Sequence, residues 1–270
     1  MPELPEVEIT RRGLLPLLNQ TVKDVVIRNA SMRWPIPAHL PQTLFNQKLI
    51  GLKRRAKYIL ANFECGTLLL HLGMSGRISL LDRNYPPEKH DHFDISFHDG
   101  HVLRLRDPRR FGAVLWAGLQ PNNHELLQLL GLEPLEDDFN AAYLHAVLKN
   151  RAATIKVAIM DSHLVVGVGN IYASESLFRA RIHPETPAKN LNLKQCEKLV
   201  NEIKATLNDA LNAGGSSLRD FFGTDGNPGY FQQEYFVYGR TGEPCKVCSK
   251  PIKCIRLGQR STFFCQSCQV

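Results

Sequence analysis

Phe93-Asp-Ile-Ser-Phe97 and Val102-Leu-Arg-Leu-Arg106, with Asp99-Gly100 between them, decide the fold of the N-terminal half. Both runs alternate apolar and polar residues, the period of a strand with one buried face. Asp-Gly accepts the left-handed backbone of a tight hairpin turn, so the two strands are antiparallel neighbours. Around this pair, Val25-Val26-Ile27, Tyr58-Ile59-Leu60 and Leu68-Leu69-Leu70 are short apolar runs suited to buried strands. Roughly six to eight such strands between residues 21 and 118, with no helix intervening, predict an antiparallel β-sandwich.

The period changes on either side. Residues 3–19 predict a helix, with Val7, Arg11, Leu14, Leu15 and Leu18 at helical spacing and an irregular last turn at Gly13 and Pro16. Its acidic start and basic Arg11-Arg12 suit the helix dipole. From about 120 onward helices are predicted near 123–130, 140–149, 153–160, 171–180 and 193–213. The last of them opens on a capping-box pair, Asn192 and Gln195, and closes on Gly214-Gly215. The final 35 residues are turn-rich. The whole reads as an α+β multidomain protein: a β-sandwich domain with an N-terminal helix over 1–120, a helical domain over 121–235 and a small module over 236–270.

With 270 residues, 43% of them hydrophobic, the chain can bury a substantial core. A net charge of +7 suggests a polyanionic partner. No apolar run approaches the ~18 residues of a membrane span, and no signal-peptide layout opens the chain, so a cytoplasmic location is expected. Four of the seven cysteines form Cys245-x2-Cys248 and Cys265-x2-Cys268. Two thiolate pairs on tight turns supply the tetrahedral soft-ligand set of one structural Zn2+. Cys65, Cys196 and Cys254 fall outside that pattern, as core fillers or exposed bystanders.

Three features carry possible chemistry. Removal of Met1 would free the secondary amine of Pro2, whose attack on a carbonyl-like carbon gives an iminium directly. An α-amine with a pKa near ~8 is partly neutral at pH 7, and Glu3 beside it offers a carboxyl for proton transfer. Read alone, Pro2 and Pro5 equally suit an ordinary helix start. Gly167-Val-Gly169-Asn170 leads into a helix whose free N–H groups suit a phosphate, or forms a glycine turn between packed helices. Arg54-Arg55-x-Lys57 and Arg109-Arg110 are basic clusters that also fit a solvated face.

In order along the chain stand Pro2-Glu-Leu-Pro-Glu6, Arg54-Arg-Ala-Lys57, His71-Leu-Gly-Met74-Ser-Gly76, Asp107-Pro-Arg-Arg-Phe-Gly112, Gly167-Val-Gly-Asn-Ile-Tyr172 and the cysteine quartet. This set, spanning the whole chain, closely resembles the bacterial formamidopyrimidine-DNA glycosylase family. The related endonuclease VIII group usually opens with glycine where this chain has Leu4, and lacks an equivalent of Ser216–Tyr230, which can fold over a damaged purine. Oxidised pyrimidines as substrate, or a non-catalytic zinc-ribbon nucleic-acid binder, are the competing readings.

The resemblance implies a sandwich, a helix–two-turn–helix domain and a zinc finger, acting as a monomer on damaged double-stranded DNA with no membrane partner. It implies Pro2 as nucleophile on the sugar and Glu3 as proton donor to the opening ring, followed by β- and δ-elimination. Lys57 is implied as proton donor in the first elimination, or as a phosphate anchor. Arg260 is implied for the second, where a guanidinium, a poor acid, reads better as a phosphate clamp. Met74, Arg109 and Phe111 match residues that fill the gap left by an extruded base. His71, His90, Arg151, Asn170 and Tyr238 match contacts to the DNA backbone.

Overall fold

The computed structural model describes residues 2–214 and 235–270; the stretch Ser216–Tyr230 lies outside the described residues. The chain forms two compact units, one built on residues 1–128 and the other on 129–212 with the C-terminal segment.

The first unit opens with α1, Leu4–Gly13, which gives way at Gly13 and Pro16 to a 3-10 turn over Leu15–Leu17. Leu14 and Leu17 are fully buried, whereas Leu15 is 40% exposed, so the apolar face persists through the irregular turn. Eight strands follow: β1 (Val22–Ile27), β2 (Leu49–Arg55), β3 (Tyr58–Phe63), β4 (Gly66–His71), β5 (Arg77–Asp82), β6 (Asp91–Phe97), β7 (His101–Arg106) and β8 (Ala113–Gly118). They make two four-stranded antiparallel sheets, ordered β1-β6-β7-β5 and β2-β3-β4-β8. The expected β6–β7 hairpin is present, with Ile95 opposite Leu103 and Gly100 at φ +95° in the connection. One core takes Phe93, Ile95, Leu103 and Leu105 from one sheet and Ile59, Leu68, Leu70 and Val114 from the other.

Two expectations fail here. A short helix α2, Leu40–Leu44, interrupts the strands, with Pro41 in its first turn and Leu40 and Leu44 buried one turn apart. No helix spans 123–130: a 3-10 turn covers Pro121–Asn123, and His124 Nδ1 accepts the Leu126 N–H. Leu127 is buried there but Leu129 is 65% exposed, so no continuous apolar stripe drives a longer helix.

The second unit contains α3 (Ala141–Leu148), α4 (Ile155–Ile159), α5 (Asn170–Ala180) and α6 (Leu193–Asn212), followed by the two-stranded β9 (Lys253–Leu257) and β10 (Arg260–Phe264). Asn140 caps α3 by accepting the Tyr143 N–H at 3.0 Å. Asn192 and Gln195 exchange the reciprocal bonds of a capping box, 3.0 and 2.9 Å, before α6. The cysteine module shares a core with α5: Phe178 packs with Val237, Ile252 and Cys265, and its ring stacks on Phe236 at 5.3 Å.

Candidate active site

In the first unit the chemistry begins at the head of α1. Pro2 is buried and Glu3, the N-cap, is 2% exposed. The Glu3 N–H donates to Glu6 Oε2 at 2.8 Å, and the Glu3 side chain accepts from the Glu6 amide in a capping box. A carboxyl is thus fixed at the positive end of the helix, one residue from the would-be amine. α1 packs against β2 and β3, whose two-residue connection is Ala56-Lys57. Ala56, 3% exposed, takes φ +54°, a conformation that alanine rarely adopts, and so holds Lys57 at a tight hairpin tip.

His71 ends β4 directly opposite Tyr58, with the two rings 4.8 Å apart. Burial, followed by the charges of Lys57 and Arg33, lowers its pKa to about 4. Its Nδ1 accepts the Gly73 N–H at 3.2 Å. The imidazole is therefore neutral near pH 7, and its proton resides on Nε2, which remains a donor.

Met74, Arg109 and Phe111 are carried by two interlocked loops. Gly73 has φ +63°, and a Cβ there would lie 2.4 Å from the Phe111 carbonyl carbon; one on Gly112 would lie 2.7 Å from the His71 oxygen. Only glycines permit this approach. Asp107, fully buried, joins the loops: its carboxylate accepts Ser75 Oγ at 2.7 Å, the Gly112 N–H at 2.7 Å and the Arg109 N–H at 3.3 Å. Above this anchor Met74 and Phe111 are 37% and 41% exposed, and the Arg109 guanidinium lies 4.8 Å from the Phe111 ring centre. His90, at φ +76°, is tied in through its carbonyl, which accepts the Asp107 N–H.

The second unit gathers another group. Asn170 opens α5 after Gly169, and its Nδ2 donates to the Ser261 carbonyl at 3.0 Å. Lys156, 1% exposed, donates from Nζ to Asn170 Oδ1 at 2.5 Å, Thr262 Oγ1 at 2.7 Å and the Ser261 carbonyl at 3.3 Å. These bonds fix β10 against the head of α5. Arg260, exposed, stands at the start of β10 after a Gly258-Gln259 turn in which both residues have positive φ. Tyr238 packs edge-on to Phe263 at 5.0 Å. Glu175, 4% exposed, accepts the amides of Phe236, Val237 and Tyr238 at 2.8, 2.9 and 2.8 Å. Burial nonetheless raises its pKa. Arg151 is held separately, by Asp161 at 2.6 Å.

The sulfurs of Cys245, Cys248, Cys265 and Cys268 all lie within 4.8 Å of one another. A tetrahedral zinc with ~2.3 Å bonds needs sulfurs roughly 3.8 Å apart, and Cys245–Cys268 and Cys248–Cys265 stand at 3.9 and 3.4 Å. The quartet fits one zinc ion. Cys196 is buried in the helical core, whereas Cys65 and Cys254 are exposed.

Ser75 and Asp107 stand inside the quoted motifs with no role assigned to them, and Lys156 and Glu175 lie among no candidate site residues. Lys156 and Glu175 each left a trace, as a lone charge among apolar helix residues (Ile155-Lys-Val-Ala-Ile159 and Ile171-Tyr-Ala-Ser-Glu-Ser-Leu-Phe178).

A β-sandwich headed by a capped Pro-Glu helix, a helical unit and a four-cysteine ribbon together define the helix–two-turn–helix, zinc-ribbon class of proteins. Residues 1–114 match the formamidopyrimidine-DNA glycosylase N-terminal domain, 130–222 its H2TH domain and 242–270 the zinc finger found in FPG and IleRS. The chain belongs to the formamidopyrimidine-DNA glycosylase family. It is 68% identical over 269 residues to formamidopyrimidine-DNA glycosylase of Methylobacillus flagellatus, covering 100% of this chain and 96% of that one. The enzyme of that name from Janthinobacterium is 52% identical over all of both chains. Among solved structures, the MutM (Fpg) protein from Thermus thermophilus has a TM-score of 0.88 at 36% identity, covering 99% of this chain and 98% of the other. Lactococcus lactis Fpg in complex with DNA containing an abasic site has 0.91 at 33%, with 99% of each chain covered.

Proposed function

We propose that this chain excises oxidised purines, 8-oxoguanine and formamidopyrimidines, from duplex DNA and then cuts the strand at the emptied site. The observation that carries this reading is the buried Pro2-Glu3 pair heading a capped helix, in a chain that aligns end to end with formamidopyrimidine-DNA glycosylases. Once Met1 is removed, the Pro2 nitrogen attacks the anomeric carbon of the sugar and the base departs with its bonding pair. The nitrogen lone pair then opens the sugar ring, Glu3 protonates the ring oxygen, and an iminium remains. Loss of a proton from the adjacent carbon expels one phosphate, and a second elimination expels the other.

Lys57 and His71 hold the backbone beside the reacting sugar in the first unit, with His90 as a further contact. Asn170, Arg151, Tyr238 and Arg260 hold it from the second, Arg260 as a clamp on the leaving phosphate. Met74, Arg109 and Phe111 fill the gap in the base stack. Zinc on the four thiolates supplies a cross-link that keeps the Arg260 hairpin folded. Functionally the chain divides at 1–120, 121–235 and 236–270, and it acts as a cytoplasmic monomer on the nucleoid, since one chain carries every residue the chemistry needs.

Borohydride trapping tests the proposal. Mature protein should form a covalent adduct on duplexes carrying 8-oxoguanine opposite cytosine, and protein retaining a tag before Pro2 should form none. A tagged protein that still traps would assign the nucleophile to an internal lysine, and faster reaction on thymine glycol than on 8-oxoguanine would assign the pyrimidine specificity of endonuclease VIII.

A further inference from the structure

The segment before α2 is sewn to the gap-filling loops. The Arg33 N–H donates to the Arg110 carbonyl at 2.8 Å, and Arg110 Nη1 donates to the Ser31 carbonyl at 3.3 Å. Between them Met32 is buried, its Cε 3.5 Å from where a Cβ on Gly112 would sit, and that same Cβ would meet the His71 carbonyl oxygen. Residues 31–33 therefore border the strip that runs from Phe111 to His71. The Arg33 side chain is exposed, and among the described residues no carboxylate pairs with it. Its charge reaches both His71 and Tyr58: it adds to the burial that disfavours protonation of the first, and it partly offsets the burial that raises the pKa of the second. The buried carboxylate of Asp107 is occupied by Ser75 and Gly112.

The charges of two cations, Lys57 and Arg33, thus act on an imidazole whose Nδ1 is occupied by Gly73 and whose Nε2 carries the proton. That combination matches a run of phosphodiesters: a guanidinium offers a planar fork to one phosphate, and the neutral imidazole donates to a second without adding charge. We infer that Arg33 is a further phosphate-binding residue of the first unit, gripping the DNA backbone next to the phosphate held by Lys57 and His71. The inference rests on the DNA-repair reading above. It adds a contact from the loop before α2, a region in which the sequence motifs mark no site.

The test is the salt dependence of binding to a duplex carrying a tetrahydrofuran abasic analogue. Each neutralised phosphate contributes about 0.9 to the slope of log Kd against log salt. R33A should weaken binding and lower that slope by about 0.9, and R33K should recover most of it. An NMR titration of His71 adds a readout that a packing role would not move: its pKa should rise in R33A and stay low in R33K. Circular dichroism on both variants checks the fold. An unchanged slope in folded R33A overturns the inference, as does a loss that varies with the base opposite the lesion at constant slope, because Arg33 would then read bases. Failure of the repair reading itself looks different, since wild-type protein would then give no borohydride adduct.

Discussion

Asp107 offers the sharpest test of how the residues proposed to fill the gap are positioned, because it has no proposed role in the chemistry itself. It is fully buried and accepts two short bonds, from Ser75 Oγ and the Gly112 amide at 2.7 Å, and a longer one from the Arg109 amide at 3.3 Å. A hydrogen bond to a charged group contributes about 1.5–3 kcal/mol, and truncation also strands the buried Gly112 donor. D107A should therefore lose about 3–5 kcal/mol of stability, at the upper end for a single substitution. D107N should lose much less, because its carbonyl oxygen can still accept Gly112 while its amide donates to Ser75 Oγ. Urea denaturation gives the stability, and single-turnover assays give the function. With the loops loosened, excision of 8-oxoguanine, which needs the gap filled, should fall more than strand cutting at a ready-made abasic site. The order on both measurements should be wild type, then D107N, then D107A. A D107A protein with the wild-type urea midpoint, or with equal losses on both substrates, would refute the reasoning.

Further outcomes follow from the same geometry. Glu3→Gln should impair release of an intact base more than cutting at an abasic site, where the sugar already presents an aldehyde; paired rate measurements decide, and equal losses would make Glu3 a positioning group for Pro2. Lys156→Met should weaken DNA binding while leaving its salt slope unchanged, since Lys156 is 1% exposed and acts through Asn170, Ser261 and Thr262; a reduced slope would mean that it reaches a phosphate. Cys248→Ser should release zinc, measurable by elemental analysis, and reduce DNA binding through loss of the Arg260 hairpin. The His71 pKa lies below its ordinary 6.5, at about 4. On acidification the unfolded chain takes up the proton first, so stability is lost between those two values, by at most ~3 kcal/mol. His71→Asn should remove that component, visible as the wild-type-minus-variant difference in urea midpoints at pH 7 and pH 4.5.

The sequence was most legible where local chemistry and periodicity agree. The β6–β7 alternation, the Asn192–Gln195 capping box and the cysteine quartet are each written in a few adjacent residues, and each appears in the structure. The helix expected over 123–130 failed because its apolar residues do not share one buried face, a property set by tertiary contacts. α2 escaped because five residues carry too little periodic signal between strands. Among the candidate site residues the motif positions were legible, whereas the long-range pairings that support them were not. Glu175 meets its partners 61 to 63 residues away, and Lys156 meets Thr262 at a separation of 106. No local pattern encodes such pairings.

Those supports share one physical plan. Asp107, Lys156 and Glu175 are each almost wholly buried, and each is surrounded by groups of complementary polarity: amides and a hydroxyl for the carboxylates, carbonyl and hydroxyl oxygens for the amine. Burying such a group is costly unless every bond it can make is made. Misplacing a loop by even an ångström would strand one of its partners. A buried polar hub therefore penalises alternative loop placements far more steeply than apolar packing does, which tolerates sliding. The residues bonded to each hub (Arg109 and Gly112 on Asp107, Asn170 and Ser261 on Lys156, Tyr238 on Glu175) inherit that precision. In both units the mount is a buried ionisable group held by several hydrogen bonds.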